Sequence, residues 1–168
     1  MKNNFTFTIG IVIVSDKGSR GERVDESGPV IEKVLGSVGG AVKKYSIVSD
    51  EKAEIESVLL EMADELHVDL ILTSGGTGFS HRDNTPEATL GVIEKIVPGI
   101  PEAMRAESLK ITPKAMLSRA VSGIRKKSLI INLPGSPKGV EECLDTILPA
   151  LKHGIEILRG DASECGRH

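Results

Sequence analysis

The sequence predicts an α/β protein, a three-layer α/β/α sandwich around a mostly parallel sheet. Two patterns carry this. Short runs rich in Ile, Val and Leu alternate along the chain with longer segments of helical periodicity. The strand-like runs, among them FTIGIVIV (Phe7–Val14) and LILT (Leu70–Thr73), are apolar throughout rather than at every second residue, as in strands covered on both faces. A chain of 168 residues also fits one domain and can bury roughly 70% of its unfolded surface. No repeat, linker or low-complexity stretch divides residues 1–168, and 159–168 read as a loose polar tail.

Taken in order, Phe7–Val14 reads as a buried strand, followed by a polar, Gly-containing stretch from Ser15 to Gly28. Val30, Ile31, Val34 and Leu35 predict a helix over Pro29–Val38, and Ala41–Val48 a second strand. Ile55, Val58, Leu59, Met62 and Leu66 share one face of an amphipathic helix over Glu51–Leu66. Leu70–Thr73 runs straight into glycines. Thr85 as N-cap, Pro86 at the first helical position and Glu87 in the first turn open a helix that continues to Ile96. Pro101–Leu109 and Pro113–Ser118 read as helical, and Ser128–Leu133 as a further strand. Val140–Ile157 is a helix interrupted or bent at Pro149.

Composition excludes several functions. With 21 basic against 24 acidic residues, a net charge of −3, no electrostatic case exists for non-specific nucleic-acid binding. Aromatic residues at 2% leave no stacking platform for single strands. Two cysteines, Cys143 and Cys165, make neither a disulfide framework nor a zinc cluster, which points to a reducing, cytoplasmic setting. Cys143 falls on an apolar helical face and reads as core. No signal peptide or membrane-spanning run is expected. The four histidines show no ligand spacing.

Open α/β sheets bind ligands beyond the carboxyl ends of their strands. Four loops leave such ends: Ser15-Asp16, Ser49-Asp50, Ser74 to Asp83, and Pro134 to Gly139. Ser74-Gly75-Gly76-Thr77-Gly78 is either a tight strand exit or a cradle of backbone N–H groups for an oxyanion, with Ser74 and Thr77 adding hydroxyls. It is neither a Walker loop nor a dinucleotide fingerprint. Asp50 is either a helix cap or a ligand; Asp83 is either a turn residue or a ligand. Together, two carboxylates flanking an anion loop suit a hard cation such as Mg²⁺, with Asp16 a third candidate. Arg82 reads as a solvated charge. Pro134-Gly135-Ser136-Pro137-Lys138 is a rigid turn or a second ligand loop, in which Lys138 offers a cation to a phosphate.

The combination is more specific than its parts. Thr73–Gly78, Arg82–Thr89 and Asn132–Lys138, with Val14-Ser15-Asp16, Ser49-Asp50-Glu51 and Ala115–Arg119, resemble the MogA/MoaB family of molybdenum cofactor biosynthesis across about Ile9 to Leu158. The resemblance implies a molybdopterin adenylyltransferase, which joins AMP from ATP to the terminal phosphate of molybdopterin and releases pyrophosphate. It implies Asp50 and Asp83 as catalytic residues, and the chemistry of two carboxylates beside an anion loop points to the same pair as holders of Mg²⁺. It further implies a ligand-binding rim of Ser15, Asp16, Ser74, Gly75, Gly76, Thr77, Gly78, Pro134, Gly135, Ser136 and Lys138. A homotrimer is implied, with hand-over of the product to a separate molybdate-inserting protein. A non-catalytic molybdopterin carrier of the same fold is the alternative, and a nucleotide pyrophosphatase a third reading.

Overall fold

A computed structural model describes residues 5–161. Its six-stranded sheet has the order β2-β1-β3-β6-β5-β4, formed by β1 (Phe7–Val14), β2 (Gly40–Val48), β3 (Leu70–Ser74), β4 (Lys95–Ile96), β5 (Ser122–Arg125) and β6 (Ser128–Leu133). Strands β2, β1, β3 and β6 are mutually parallel, whereas β5 runs antiparallel to both β6 and β4.

Alternation along the buried strands supplies two cores. Ile9, Ile11 and Ile13 of β1, Leu70 and Leu72 of β3, and Leu129, Ile131 and Leu133 of β6 face one layer of helices. That layer is α2 (Ser27–Gly36), α5 (Gly99–Leu109) and α6 (Pro137–Arg159). Val12, Val14, Ile71 and Ile130 point the other way, onto α3 (Lys52–Leu60) and α4 (Thr85–Val92). The three-layer α/β/α expectation therefore holds. A four-residue helix, α1 (Asp16–Ser19), sits at the rim.

Several element readings change. The amphipathic helix from Glu51 is α-helical only to Leu60 and then widens into a π turn, Glu61–Glu65, closed by Leu66 N–H on the Glu61 carbonyl at 3.0 Å. Residue 84, not Thr85, occupies the cap of α4, so Pro86 lies one position deeper than expected. That helix stops at Val92 rather than Ile96, because the chain turns extended at Ile93 and joins a short antiparallel ladder: Glu94 N–H bonds Ile124 O at 2.8 Å and Val97 N–H bonds Ser122 O at 2.9 Å. Strands β4 and β5 carry no apolar run that would announce them. Residues 113–117 form a 3₁₀ turn. Helix α6 continues through Pro149 unbroken; the proline is exposed, while Leu144, Ile147, Leu151 and Ile155 anchor the buried face on both sides of it.

Arg159 does not begin a loose tail. It ends α6 and grips Asp69 with two hydrogen bonds of 2.9 and 2.6 Å. Cys143 is buried as expected, while Cys165 and the rest of 162–168 lie outside the described residues. Among the described residues, no helix is long and apolar enough to cross a membrane.

One buried polar side chain locks β6 to its neighbours. Asn132, fully buried, donates to the hydroxyls of Thr73 in β3 (3.0 Å) and Thr89 in α4 (2.8 Å) and accepts from Val121 N–H (3.1 Å). Replacing it takes the partner from the part-buried Val121 amide and from the fully buried Thr73 and Thr89 hydroxyls. Asn132→Ala is expected to lower unfolding free energy by about 2–3 kcal/mol, read from urea denaturation; a loss within error would show that the network contributes nothing net.

Candidate active site

The parallel strands end nearly level: Val14 pairs with Val48, Ile13 with Ser74, and Ser74 with Leu133. The loops that follow all open onto one cleft of about 760 Å³. Ser15, Asp50, Ser74, Gly75, Gly76, Asp83, Gly135 and Ser136 line it. The sequence-predicted residues from four separate loops are thus brought together, Asp50 and Asp83 included.

Asp50 is not a helix cap. The cap of α3 is Glu51, and the Asp50 carboxylate instead accepts from the Asp16 amide at 2.8 Å. Asp16 returns the contact, accepting from the Asp50 amide at 3.0 Å. This reciprocal clasp ties the β1 and β2 exits together. Arg82, read from the sequence as a solvated charge, makes two 2.9 Å bonds to Asp16 and one of 2.6 Å to Glu51. Asp16 is therefore engaged on both oxygens.

Asp83 lies in the loop between β3 and α4, its carboxylate accepting from Ser80 N–H at 3.0 Å. Three neighbours fix this loop. Asn84 donates to the Asp50 carbonyl at 3.1 Å. Thr85 donates its hydroxyl to the Gly75 carbonyl at 2.9 Å. Arg119 donates to the Gly78 and Asp83 carbonyls, both at 2.8 Å, and pairs with Glu87. The sequence placed Arg119 in a motif without a role; two carbonyls of this loop and the Glu87 carboxylate of α4 now give it one.

In the glycine loop, Gly75 and Gly76 adopt φ of +103° and +67°, a region that costs other residues free energy. A Cβ on Gly75 would strike the Val14 carbonyl. One on Gly76 would strike the Thr85 hydroxyl and lie 3.4 Å from the Asp50 carboxylate. The glycines thus make room for protein atoms packed against the loop. The Gly75 N–H bonds Leu133 O at 3.3 Å, and the Ser74 hydroxyl donates to Pro134 O at 2.8 Å. Neither is a free donor. The N–H groups of Gly76, Thr77 and Gly78 make no hydrogen bond among the described residues.

Across the cleft, Ser136 caps α6, accepting from Gly139 N–H at 3.2 Å with Pro137 next, so the positive end of a 23-residue helix faces the cleft. Thr77, Gly78, Pro134 and Lys138 face a second, mainly apolar cavity of about 430 Å³, which Ser136 borders as well. Lys138 is separated from the Asp50 cleft and pairs with Glu142 at 3.8 Å.

The profile of a family described as "Probable molybdopterin binding domain" matches residues 10–153. The chain belongs to that family. Over 158 residues it is 46% identical to the molybdopterin adenylyltransferase of Helicobacter pylori, covering 93% of this chain and 90% of that one. Over 156 residues it is 43% identical to the molybdopterin adenylyltransferase of Escherichia coli, covering 89% and 80%. The crystal structure of the molybdopterin biosynthesis enzyme MoaB of Thermus thermophilus superposes with a TM-score of 0.88 at 48% identity, covering 92% of this chain and 98% of that one.

Sequence reasoning missed one wall of this molybdopterin-binding domain. Residues 23–27 line the cleft between α1 and α2. Asp25 caps the first turn of α2, accepting from Ser27 N–H at 2.9 Å, and also accepts from the Tyr45 hydroxyl; Ser27 donates to Gly135 O at 2.9 Å. Only an Asp two residues before a Ser-Gly-Pro helix start hinted at the cap, and nothing in the sequence hinted at the wall.

Electrostatics divide the two clasped carboxyls. Arg82, with the Asp50 amide, holds Asp16 down to about 2. Burial pushes Asp50 above its ordinary 3.8, and the carboxylates of Asp16 and Asp83 add to the push; the Asp16 amide and Arg82 oppose it. The folded state therefore binds the Asp50 proton more tightly than the unfolded chain. The stability this group contributes is intact below 3.8 and is lost as pH rises through the higher folded value. Asp50→Asn should consequently raise Tm relative to wild type more at pH 7 than at pH 3, by differential scanning calorimetry; an equal offset at both would contradict the burial argument. Gly76→Ala should lose about 1–2 kcal/mol through left-handed backbone alone, with more from the displaced Thr85, read from denaturant midpoints.

Proposed function

We propose that the chain is a molybdopterin adenylyltransferase. An oxygen of the terminal phosphate of molybdopterin attacks the α-phosphorus of ATP. A P–O–P link forms to the pterin, the α–β bridge breaks, and pyrophosphate leaves with the bonding electron pair. Both reactants are phosphates, so the barrier is dominated by charge repulsion and alignment, and no covalent nucleophile is required. One observation carries the reading beyond family membership: Asp50 and Asp83 face the same cleft as the glycine loop and the start of α6. The free N–H group of Gly76, the one of the three that lies at this cleft, holds a phosphoryl oxygen, and the α6 N-terminus adds a second positive field.

The donor set fits Mg²⁺. Two hard carboxylates stand together, and Asp50 is strained toward protonation by burial and by its acidic neighbours, a condition that a cation relieves. Magnesium is usually held by one or two carboxylates together with substrate phosphates, and this site offers two such carboxylates. Asp50 and Asp83 would hold it, and when bound it screens repulsion between the phosphates. The resemblance to MogA/MoaB proteins supports a cytoplasmic homotrimer that passes its product to a molybdate-inserting protein; sedimentation tests the assembly.

Purified protein incubated with molybdopterin, ATP and Mg²⁺ should yield adenylylated pterin on chromatography. Free AMP alone would indicate hydrolysis, and no nucleotide product a carrier. Asp50→Asn and Asp83→Asn should each lower turnover by about 100-fold or more while leaving molybdopterin affinity within a few-fold. Wild-type rates in either variant would remove that carboxylate from the mechanism.

A further inference from the structure

The charged lining of the cleft is unbalanced for its substrates. Asp25, Glu26, Asp50 and Asp83 face it, against one cationic side chain among the described residues, Arg23. Three nearby cations are engaged elsewhere: Arg82 with Asp16 and Glu51, Arg20 with Glu22 at 2.9 Å, and Lys138 with Glu142 beside the other cavity. Arg23 makes no hydrogen bond or ion pair within the described residues.

Its placement is nonetheless defined. Upstream, Gly21 N–H bonds Gly18 O at 3.0 Å and Glu22 N–H bonds Lys17 O at 2.9 Å. Downstream, Asp25 is held by Tyr45 and by the first amides of α2. Arg23 and Val24, the latter 84% exposed, form the crown of a short arch pinned at both feet. A guanidinium without a protein partner, on a held backbone, at the lip of an otherwise acidic phosphate cleft, is placed for bidentate capture of phosphate oxygens.

We propose that Arg23 binds the polyphosphate end of the nucleotide and so makes the cleft select ATP over AMP. The inference rests on the adenylyl-transfer reading. That reaction brings the α-phosphate and the pterin phosphate together at Asp50, Asp83 and the glycine loop. The further phosphates of ATP then need a positive partner of their own, and Arg23 is the cation this wall offers. As a positioning residue it acts on the part of the substrate that leaves, so its removal weakens triphosphate binding without touching the transferred group.

The test is calorimetric titration of wild type, Arg23→Gln and Arg23→Lys with inorganic pyrophosphate, ATP and AMP in Mg²⁺ buffer, beside steady-state kinetics. Arg23→Gln should bind pyrophosphate and ATP roughly tenfold more weakly, with AMP within twofold, and Arg23→Lys should recover part of the loss. KM for ATP should rise by a similar factor while kcat at saturation changes little. Unchanged ATP and pyrophosphate affinity, or an equal loss for AMP, would overturn the assignment. If wild type makes no adenylylated pterin yet binds pyrophosphate in an Arg23-dependent way, the transfer reading fails and the polyphosphate site stands.

Discussion

Parallel pairing of β2, β1, β3 and β6 is the constraint from which the rest follows. Strands that run the same way must be joined by crossovers, and crossovers put helices on both faces. Here the two faces are Ile9, Ile11, Leu70, Leu72 and Ile131 under α2, α5 and α6, and Val12, Ile71 and Ile130 under α3 and α4. The same parallelism delivers every strand exit to one edge. Because the ladders keep Val14, Val48, Ser74 and Leu133 nearly level, four loops distant in sequence share one cleft.

The segments around the cleft are cross-linked by side chains. Ser74 reaches Pro134, Ser27 reaches Gly135, Thr85 reaches Gly75, Asn84 reaches Asp50, and Asp16 and Asp50 clasp reciprocally. Such cross-links hold backbone donors in place before a ligand arrives, which is how positioning enters a reaction that needs little else from the protein. They also hold Asp50 where burial disfavours its charge. Local stability is therefore given up here for a buried carboxylate, and perturbed groups of this kind cluster at functional sites.

Hydroxyls that look like ligand donors in a motif are partly structural in the fold. Ser74 and Thr85 both donate to neighbouring carbonyls, and Ser136 caps a helix. The glycines divide their work similarly: Gly75 and Gly76 leave space for Val14 and Thr85, while the amides of residues 76–78 keep their donors open. The loop Gly-Gly-Thr-Gly thus packs closely against Val14 and Thr85 while three of its N–H groups have no partner among the described residues. A guanidinium such as Arg119 does the reverse of binding substrate, stitching Gly78, Asp83 and Glu87 into one rigid unit.

From residues alone came the α/β class, the four long parallel strands, most helices, and the rim where Asp50, Asp83 and the glycine loop stand, because apolar runs and Gly, Pro and Asp punctuation are local signals. Strands β4 and β5 were invisible, since two to four residues such as Lys95-Ile96 gain their identity only from the partner that pairs with them. The wall at 23–27, the Asp16–Asp50 clasp and the place of Lys138 beside another cavity were equally out of reach. Each depends on contacts between segments dozens of residues apart, and which of two polar groups meets a third is decided only when the sheet brings them to the same edge.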